Sequence, residues 1–292
     1  MSAYPVKPIC IVVPLPAGGP ADLLARLLAE RLSPRLGQTV SVVNRVGNNT
    51  VAGTNEVAKA LPDGYTLLMV PSQFTVHPRT VPDLPYDVVK DFEPISMLAL
   101  TPNILVAHPS LEADTVGGLV KLARAQPGVL TFGSGGHGST SHLAAELFNK
   151  AAGIDIRHVP YDGAAPATEA LLKSKVSILF SVMAPTFPHV KSGALKALAV
   201  TGDQRSRGFP DVPTMVESGY PDFRITTWQG LLAPAGTPKP IILKLNEIIG
   251  ALMRDSTIEA RLLAQGFNPV GSSPGEFAQR IQHDLRTTPN IG

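Results

Sequence analysis

At 292 residues the chain can form one large domain or two of ordinary size. Hydrophobic residues are 44% of the total, which excludes disorder, and 25 basic against 23 acidic residues leave a net charge of +2, too neutral for a nucleic-acid or membrane-surface binder relying on bulk charge. No apolar run approaches the ~18 residues of a membrane span; a single cysteine, Cys10, excludes an intrachain disulfide or a multi-cysteine metal site; and 5% aromatics argue against stacking platforms for bases or sugars.

In chain order, residues 9–15 and 39–44 read as strands on either side of a helix over 22–32, whose Leu23, Leu24, Leu27 and Leu28 form one apolar face. A helix over 51–61 ends at Pro62-Asp63-Gly64, and 65–70 is a buried strand. Residues 116–125 form a helix with Thr115 as its cap and Pro127-Gly128 as its stop. A strand over 129–132 runs through a Gly-rich loop into a helix over 139–149. Strands at 156–161, 177–182 and 195–201 follow, with a helix over 164–173 among them. Helices at 240–253, 258–265 and 274–285 close the chain, the last opening on Ser273-Pro274-Gly275-Glu276, a capping box with proline at the first helical position. Alternating strand and helix predicts parallel sheets covered on both faces.

Two extended apolar stretches read as crossings between lobes. One is 95–106, interrupted at Pro102; the other is 225–233, with the only tryptophan, Trp228. Lobe 1 is then 1–102 plus 230–292 and lobe 2 is 103–229, with hinge crossings near 100–106 and 225–233. Such an arrangement gives a hinge and a ligand cleft.

Two Gly-rich loops follow strands and open helices. The first is Pro16-Ala17-Gly18-Gly19; the second is Gly133-Ser134-Gly135-Gly136-His137-Gly138, followed by Ser139-Thr140-Ser141-His142. A helix start has unpaired backbone N–H groups and partial positive charge, so it attracts anions. Two such junctions on separate halves suggest an anion held between lobes. Of Ser139, Thr140 and Ser141, one is expected to cap its helix, and the others are candidates for binding a carboxylate.

The second loop also fits G-x-G-x-x-G, with Asp155 further on, so a nucleotide-dependent α/β enzyme using 133–138 is the alternative reading. Against it, Asp155 precedes the strand that it should end. Catalytic signatures are otherwise missing: no H-E-x-x-H spacing and no paired carboxylates. His158 alternates with Ile156 and Pro160 and reads as structural; His137 and His142 flank the second loop and read as solvent contact and helix packing. Asp22 is expected to complement the helix start after Gly18-Gly19.

These loops and their surroundings carry a resemblance. Tyr4-Pro5-Val6-Lys7-Pro8-Ile9, Leu36-Gly37-Gln38 with Asn44-Arg45, Ala60-Leu61-Pro62-Asp63-Gly64-Tyr65 and Leu84-Pro85-Tyr86-Asp87 come in order. Ser141-His142-Leu143, His158-Val159-Pro160-Tyr161, Ala197-Leu198-Ala199-Val200-Thr201, Pro210-Asp211-Val212-Pro213-Thr214 and Ala233-Pro234-Ala235-Gly236-Thr237-Pro238 complete the set. From Tyr4 to about Leu285 the chain resembles the periplasmic solute-binding receptors of tripartite tricarboxylate transporters, the Bug receptors.

The resemblance implies an α/β, two-lobed periplasmic-binding-protein fold of type II, the Venus flytrap, each lobe a mixed sheet flanked by helices. It implies a receptor and not an enzyme, without cofactor or metal. The receptor would capture a small mono- or dicarboxylate, an aromatic acid included, in an interlobe cleft and deliver it to the membrane permease subunits of the transporter. The expected location is the periplasm, although the chain opens Met1-Ser2-Ala3-Tyr4 without a charged-then-apolar leader. A monomer is expected. By the same resemblance Ala17, Gly18 and Gly19, with Ser72 and Gln73, form one side of the site. Ser134, Ser139, Thr140, Ser141 and Tyr161 form the other, with Ser181 and Val182 at the solute's far end. Ser181-Val182 stands where family members commonly carry an acidic residue followed by Asn, which makes this pocket less acidic and more apolar.

Overall fold

The computed structural model describes residues 4–48, 50–136, 139–161 and 163–287. In chain order the elements are β1 (Ile9–Val13), α1 (Pro20–Leu36), β2 (Val40–Asn44), α2 (Val51–Ala58), β3 (Thr66–Pro71), a 3₁₀ turn (Ser72–Thr75), α3 (His77–Thr80) and β4 (Phe92–Ala107). Then come α4 (Val116–Ala125), β5 (Thr131–Ser134), α5 (Thr140–Ala152), β6 (Arg157–Pro160), α6 (Ala164–Leu172), β7 (Ile178–Val182), α7 (Met183–Lys191) and β8 (Lys196–Val200). The chain ends with β9 (Thr226–Pro234), α8 (Lys239–Met253), α9 (Ser256–Ala264), β10 (Asn268–Pro269) and α10 (Pro274–Thr287).

These elements fall into two compact units. Unit 1 comprises Met1–Leu100, Thr227–Glu259 and Pro269–Gly292; unit 2 comprises Thr101–Thr226 and Ala260–Asn268. The stretch Ala260–Asn268, which the sequence reading assigns to lobe 1, groups with unit 2. There the Ser206 hydroxyl donates to Asn268 Oδ1 at 3.2 Å.

In unit 1, β1 is the centre of a parallel β2-β1-β3 array, and β9 adds antiparallel to β3 with Leu68 opposite Leu232 and Pro71 opposite Gln229. Val12, Leu68, Val70, Leu232 and Trp228 meet Phe74, Phe92, Phe277 and Ile281 in one apolar layer. The Trp228 ring is fully buried, stands edge-on to Phe277 and donates from Nε1 to Asp284 Oδ2 at 2.6 Å. Parallel pairing puts the carboxyl ends of β1, β2 and β3 on one edge, where the connections to α1, α2 and the 3₁₀ turn emerge. Open α/β sheets bind ligands at such an edge.

Unit 2 repeats the logic. Strands β5, β6 and β7 are parallel, with Phe132 opposite both His158 and Ile178; β4 runs antiparallel to β7 and β8. In-register partners share a face. Leu105, Ala107, Ile178 and Phe180 pack against Val116 and Leu119 of α4 and Ala144, Ala145 and Phe148 of α5. Ile104, Val106 and Leu179 pack against Ala167 and Leu171 of α6 and Met183 of α7 on the other face. The sheet is thus covered on both sides, as its alternating elements require.

Three local expectations need correction. The stretch expected to break at Pro102 is one continuous strand, β4; a missing N–H at one ladder position does not end it. Helix α1 is longer than expected: Pro20 occupies its first position, where no donor is needed, and Gly37 ends it in the left-handed region at φ 65°. Helix α7 is absent from the sequence reading, because Pro185 and Pro188 obscure its pattern. Pro185 falls in the first turn, which tolerates a missing N–H. Two caps come out as expected: Thr115 accepts from the Gly118 amide at 3.0 Å, and Ser273 and Glu276 form the reciprocal box. No helix among the described residues is long and apolar enough to cross a membrane.

Candidate functional site

At the β1 edge of unit 1, the loop 14–19 is held by Asp22 rather than by a capping hydroxyl. Gly18 takes φ +84°, which a residue with a side chain rarely adopts, and this turns its amide back onto Asp22 Oδ2 at 2.9 Å. Asp22 is 2% exposed, and its carboxylate also accepts from Arg26 Nε and Asn44 Nδ2, each at 2.9 Å. The same Asn44 amide donates to the Leu15 carbonyl at 2.9 Å, so β2 and α1 jointly fix the loop. Burial pushes the Asp22 pKa up, but the hydrogen bonds from Arg26, Gly18 and Asn44 outweigh it and hold the carboxyl below its ordinary value.

With Asp22 occupied in this way, Ala17 and Gly18 stay exposed and Gly19 half-buried at the start of α1. Pro20 lacks an N–H and Leu23 donates to the Gly19 carbonyl, so the first-turn donors left over are the amides of Ala21 and Asp22. On the neighbouring strand, Ser72 is half-buried and Gln73 exposed at the head of the 3₁₀ turn, pinned by the Thr75 hydroxyl on the Ser72 carbonyl at 2.8 Å. Parallel pairing of β1 with β3 places all five expected unit 1 residues on one sheet edge.

The third connection on this edge, between β2 and α2, is held by a buried polar chain that sequence reasoning missed. His77 is 1% exposed; its Nε2 pairs with Thr50 Oγ1 at 3.1 Å and its Nδ1 with the Tyr86 hydroxyl at 2.8 Å. Burial lowers the His77 pKa; it also pushes Tyr86 up to about 12, partly offset by a hydrogen bond with Thr54.

In unit 2 the sequence-marked hydroxyls are mostly spent on the loop itself. Ser134 is fully buried; its Oγ accepts from the Gly136 amide at 3.1 Å and meets His158 Nε2 at 2.6 Å. Ser139 caps α5, accepting from the His142 amide at 3.3 Å and donating to the Gly136 carbonyl at 2.7 Å. Ser141 accepts from the Gly135 amide at 3.0 Å and meets Ser139 Oγ at 3.0 Å. Only Thr140 of the three is exposed, with no hydrogen bond from its hydroxyl among the described residues. Its amide and that of Ser141 are the first-turn donors of α5.

His158 supports this loop as a packed ring, stacked between Phe132 at 4.8 Å and His142 at 4.2 Å. The Tyr161 amide donates to the Ser134 carbonyl at 3.0 Å, and its ring lies over Gly133 on the α6 side. At the end of β7, Ser181 is 2% exposed and donates to the Val182 carbonyl at 2.8 Å, while half-buried Val182 precedes α7.

The dinucleotide reading of 133–138 includes His137 and Gly138, which lie outside the described residues. The acid that it requires is misplaced: Asp155 sits at the amino end of β6, where its carbonyl accepts from the Gly128 amide at 3.0 Å. Among the described residues no cluster of His, Cys, Asp and Glu could hold a metal ion.

Two buried carboxamides, one within β4 and one within β9, carry no mark in the sequence. Asn103, opposite Val182, is 2% exposed and its Nδ2 has no partner among the described residues. Gln229, opposite Pro71 in unit 1, is 4% exposed with an unpartnered Oε1.

Comparison with known proteins bears on this geometry. The profile of the tripartite tricarboxylate transporter family receptor, TctC, matches residues 24–291. BugT of Bordetella pertussis is 40% identical over 285 residues, covering 97% of this chain and 87% of BugT. The solved structure of R. palustris Rpa4515 with adipate is 33% identical, with a TM-score of 0.78, covering 97% of this chain and 95% of that one. MatC from Rhodopseudomonas palustris with bound malate is 31% identical, with a TM-score of 0.73 and coverage of 97% and 98%. A profile match over most of the chain, carried by a fold shared with these proteins, has one reading: the chain belongs to the tripartite tricarboxylate transporter receptor family.

Proposed function

We propose that this protein is a periplasmic receptor that holds a small mono- or dicarboxylate and hands it to the membrane subunits of a tripartite transporter, without chemically changing it. Family membership supports the receptor role. Relatives solved with adipate and with malate support the solute class. The observation that carries the reading is the start of α5. Ser134, Ser139 and Ser141 spend their hydroxyls on the loop, and what remains outward is the Thr140 hydroxyl and the first-turn amides. That donor set suits a carboxylate, and the α5 dipole favours its charge. Ala17, Gly18 and Gly19, with Ser72 and Gln73, are the solute-contacting residues of unit 1. In unit 2 Thr140 makes the contact, Ser134, Ser139 and Ser141 position it, and Tyr161, Ser181 and Val182 line the site. The protein acts as a monomer.

Calorimetry against mono- and dicarboxylates, adipate and malate among them, tests this. At least one should bind, and Thr140→Val should weaken it about tenfold or more, the loss of one hydrogen bond to a charged acceptor. Equal affinity in the variant would remove the α5 start from the site. The solute's NMR spectrum should be unchanged after prolonged incubation with the protein.

A further inference from the structure

Asn103 is a buried side chain whose hydrogen-bonding demand the fold does not meet. Its backbone is fully used: the amide donates to Thr201 Oγ1 at 2.8 Å and the carbonyl accepts from the Thr201 amide at 2.9 Å. The residue is 2% exposed, and Nδ2 finds no acceptor among the described residues. Buried amide donors are nearly always paired, because leaving one unpaired forfeits its hydration without return.

Register says where the group lies. Asn103 pairs with Val182, Leu105 with Phe180 and Ala107 with Ile178, so these share one face of the sheet. Leu105, Ala107, Ile178 and Phe180 pack under α4 and α5. Asn103 is therefore on the α5 side, opposite the last residue of β7. Strands β5 and β7 are parallel, so the carboxyl end of β7 lies on the edge from which the loop into α5 emerges. Ser181 faces the opposite layer and has committed its hydroxyl to the Val182 carbonyl, and Val182 has no polar group to offer. At this edge and on this face, Asn103 is the polar group the β7 register supplies.

We propose that Asn103 is a solute-binding and specificity-determining residue of unit 2, its Nδ2–H₂ donating to an oxygen of the bound carboxylate. This deepens the receptor reading above and rests on it. An amide donor at this place suits an oxyanion or carbonyl oxygen. The fold tolerates the unpaired donor because the solute completes it, a local cost of the kind expected at functional sites.

The test uses Asn103→Leu and Asn103→Asp, which leave the backbone pairing with Thr201 in place, with calorimetry against the carboxylates of the same panel and thermal melts of solute-free protein. Asn103→Leu should bind about tenfold or more weakly, while its solute-free melting temperature equals or exceeds that of the parent. Asn103→Asp should bind more weakly still, since it sets a like charge against the solute. Parent protein that binds no carboxylate overturns the receptor reading, and this assignment with it. Parent protein that binds, with Asn103→Leu within twofold of it, overturns the Asn103 assignment alone. Solute-free Asn103→Leu that melts below the parent would assign the amide to the fold and overturn the proposal too.

Discussion

Asp22 shows how one buried carboxylate can organise the junction between β1 and α1. Its oxygens are occupied by Gly18, Arg26 and Asn44, so its charge is answered inside the protein and the loop amides beyond it stay available. The sign of its titration follows. A carboxyl held below its ordinary value in the fold contributes stability above the unfolded pKa of about 4, and that stability is lost as pH falls through the lower folded value. Asp22→Asn should lower stability at neutral pH by about 1–3 kcal/mol, the cost of unsatisfying buried partners. It should also flatten the acid limb of the melting curve below about pH 4. Circular-dichroism melts across pH check this; an unchanged acid limb would mean that other carboxylates set it.

At the scale of elements, the connection from β2 to α2 depends on a chain of polar side chains drawn from distant sequence. Thr50 opens α2, His77 begins α3 and Tyr86 lies in the following loop, and the imidazole joins the first to the last. Because burial lowers the His77 pKa, the folded protein refuses a proton that the unfolded chain accepts. Its contribution is complete above about pH 6.5 and shrinks as pH falls below that towards the folded pKa. His77→Gln should therefore lessen the loss of stability below about pH 6.5, read from urea midpoints at stepped pH. The opposite result, a steeper loss, would show that the imidazole is protonated in the fold.

For the whole molecule, a receptor that binds its solute only when folded gains stability by mass action. A carboxylate at 100 times its Kd should add about 2.7 kcal/mol. For a chain of this size that is a rise in Tm of several degrees, about 2–4 °C for each kcal/mol. Trp228, the only tryptophan and fully buried in unit 1, reports this by fluorescence, and far-UV circular dichroism reports the helices of both units. A transition that no carboxylate moves would count against the proposed function.

The sequence by itself determined the alternation of strands and helices, the Thr115 and Ser273 caps, the Gly-rich junctions and the family. All of these are local: a periodicity of side chains, a cap at a fixed offset, a loop between a strand and a helix. It also marked Ser139, Thr140 and Ser141 as a group, but could not divide their labour. That division came from the return of the 134–136 backbone over the start of α5, which engages Ser139 and Ser141 and spares Thr140. Only tertiary structure decided the partners of Asp22 and His77 and left Asn103 and Gln229 each with an unpaired buried amide atom. Each depends on partners far along the chain, or on their absence where the chain returns. A buried amide left unpaired by strands β4 and β7 is a property of their register, and register is settled when sheets assemble and their cores close.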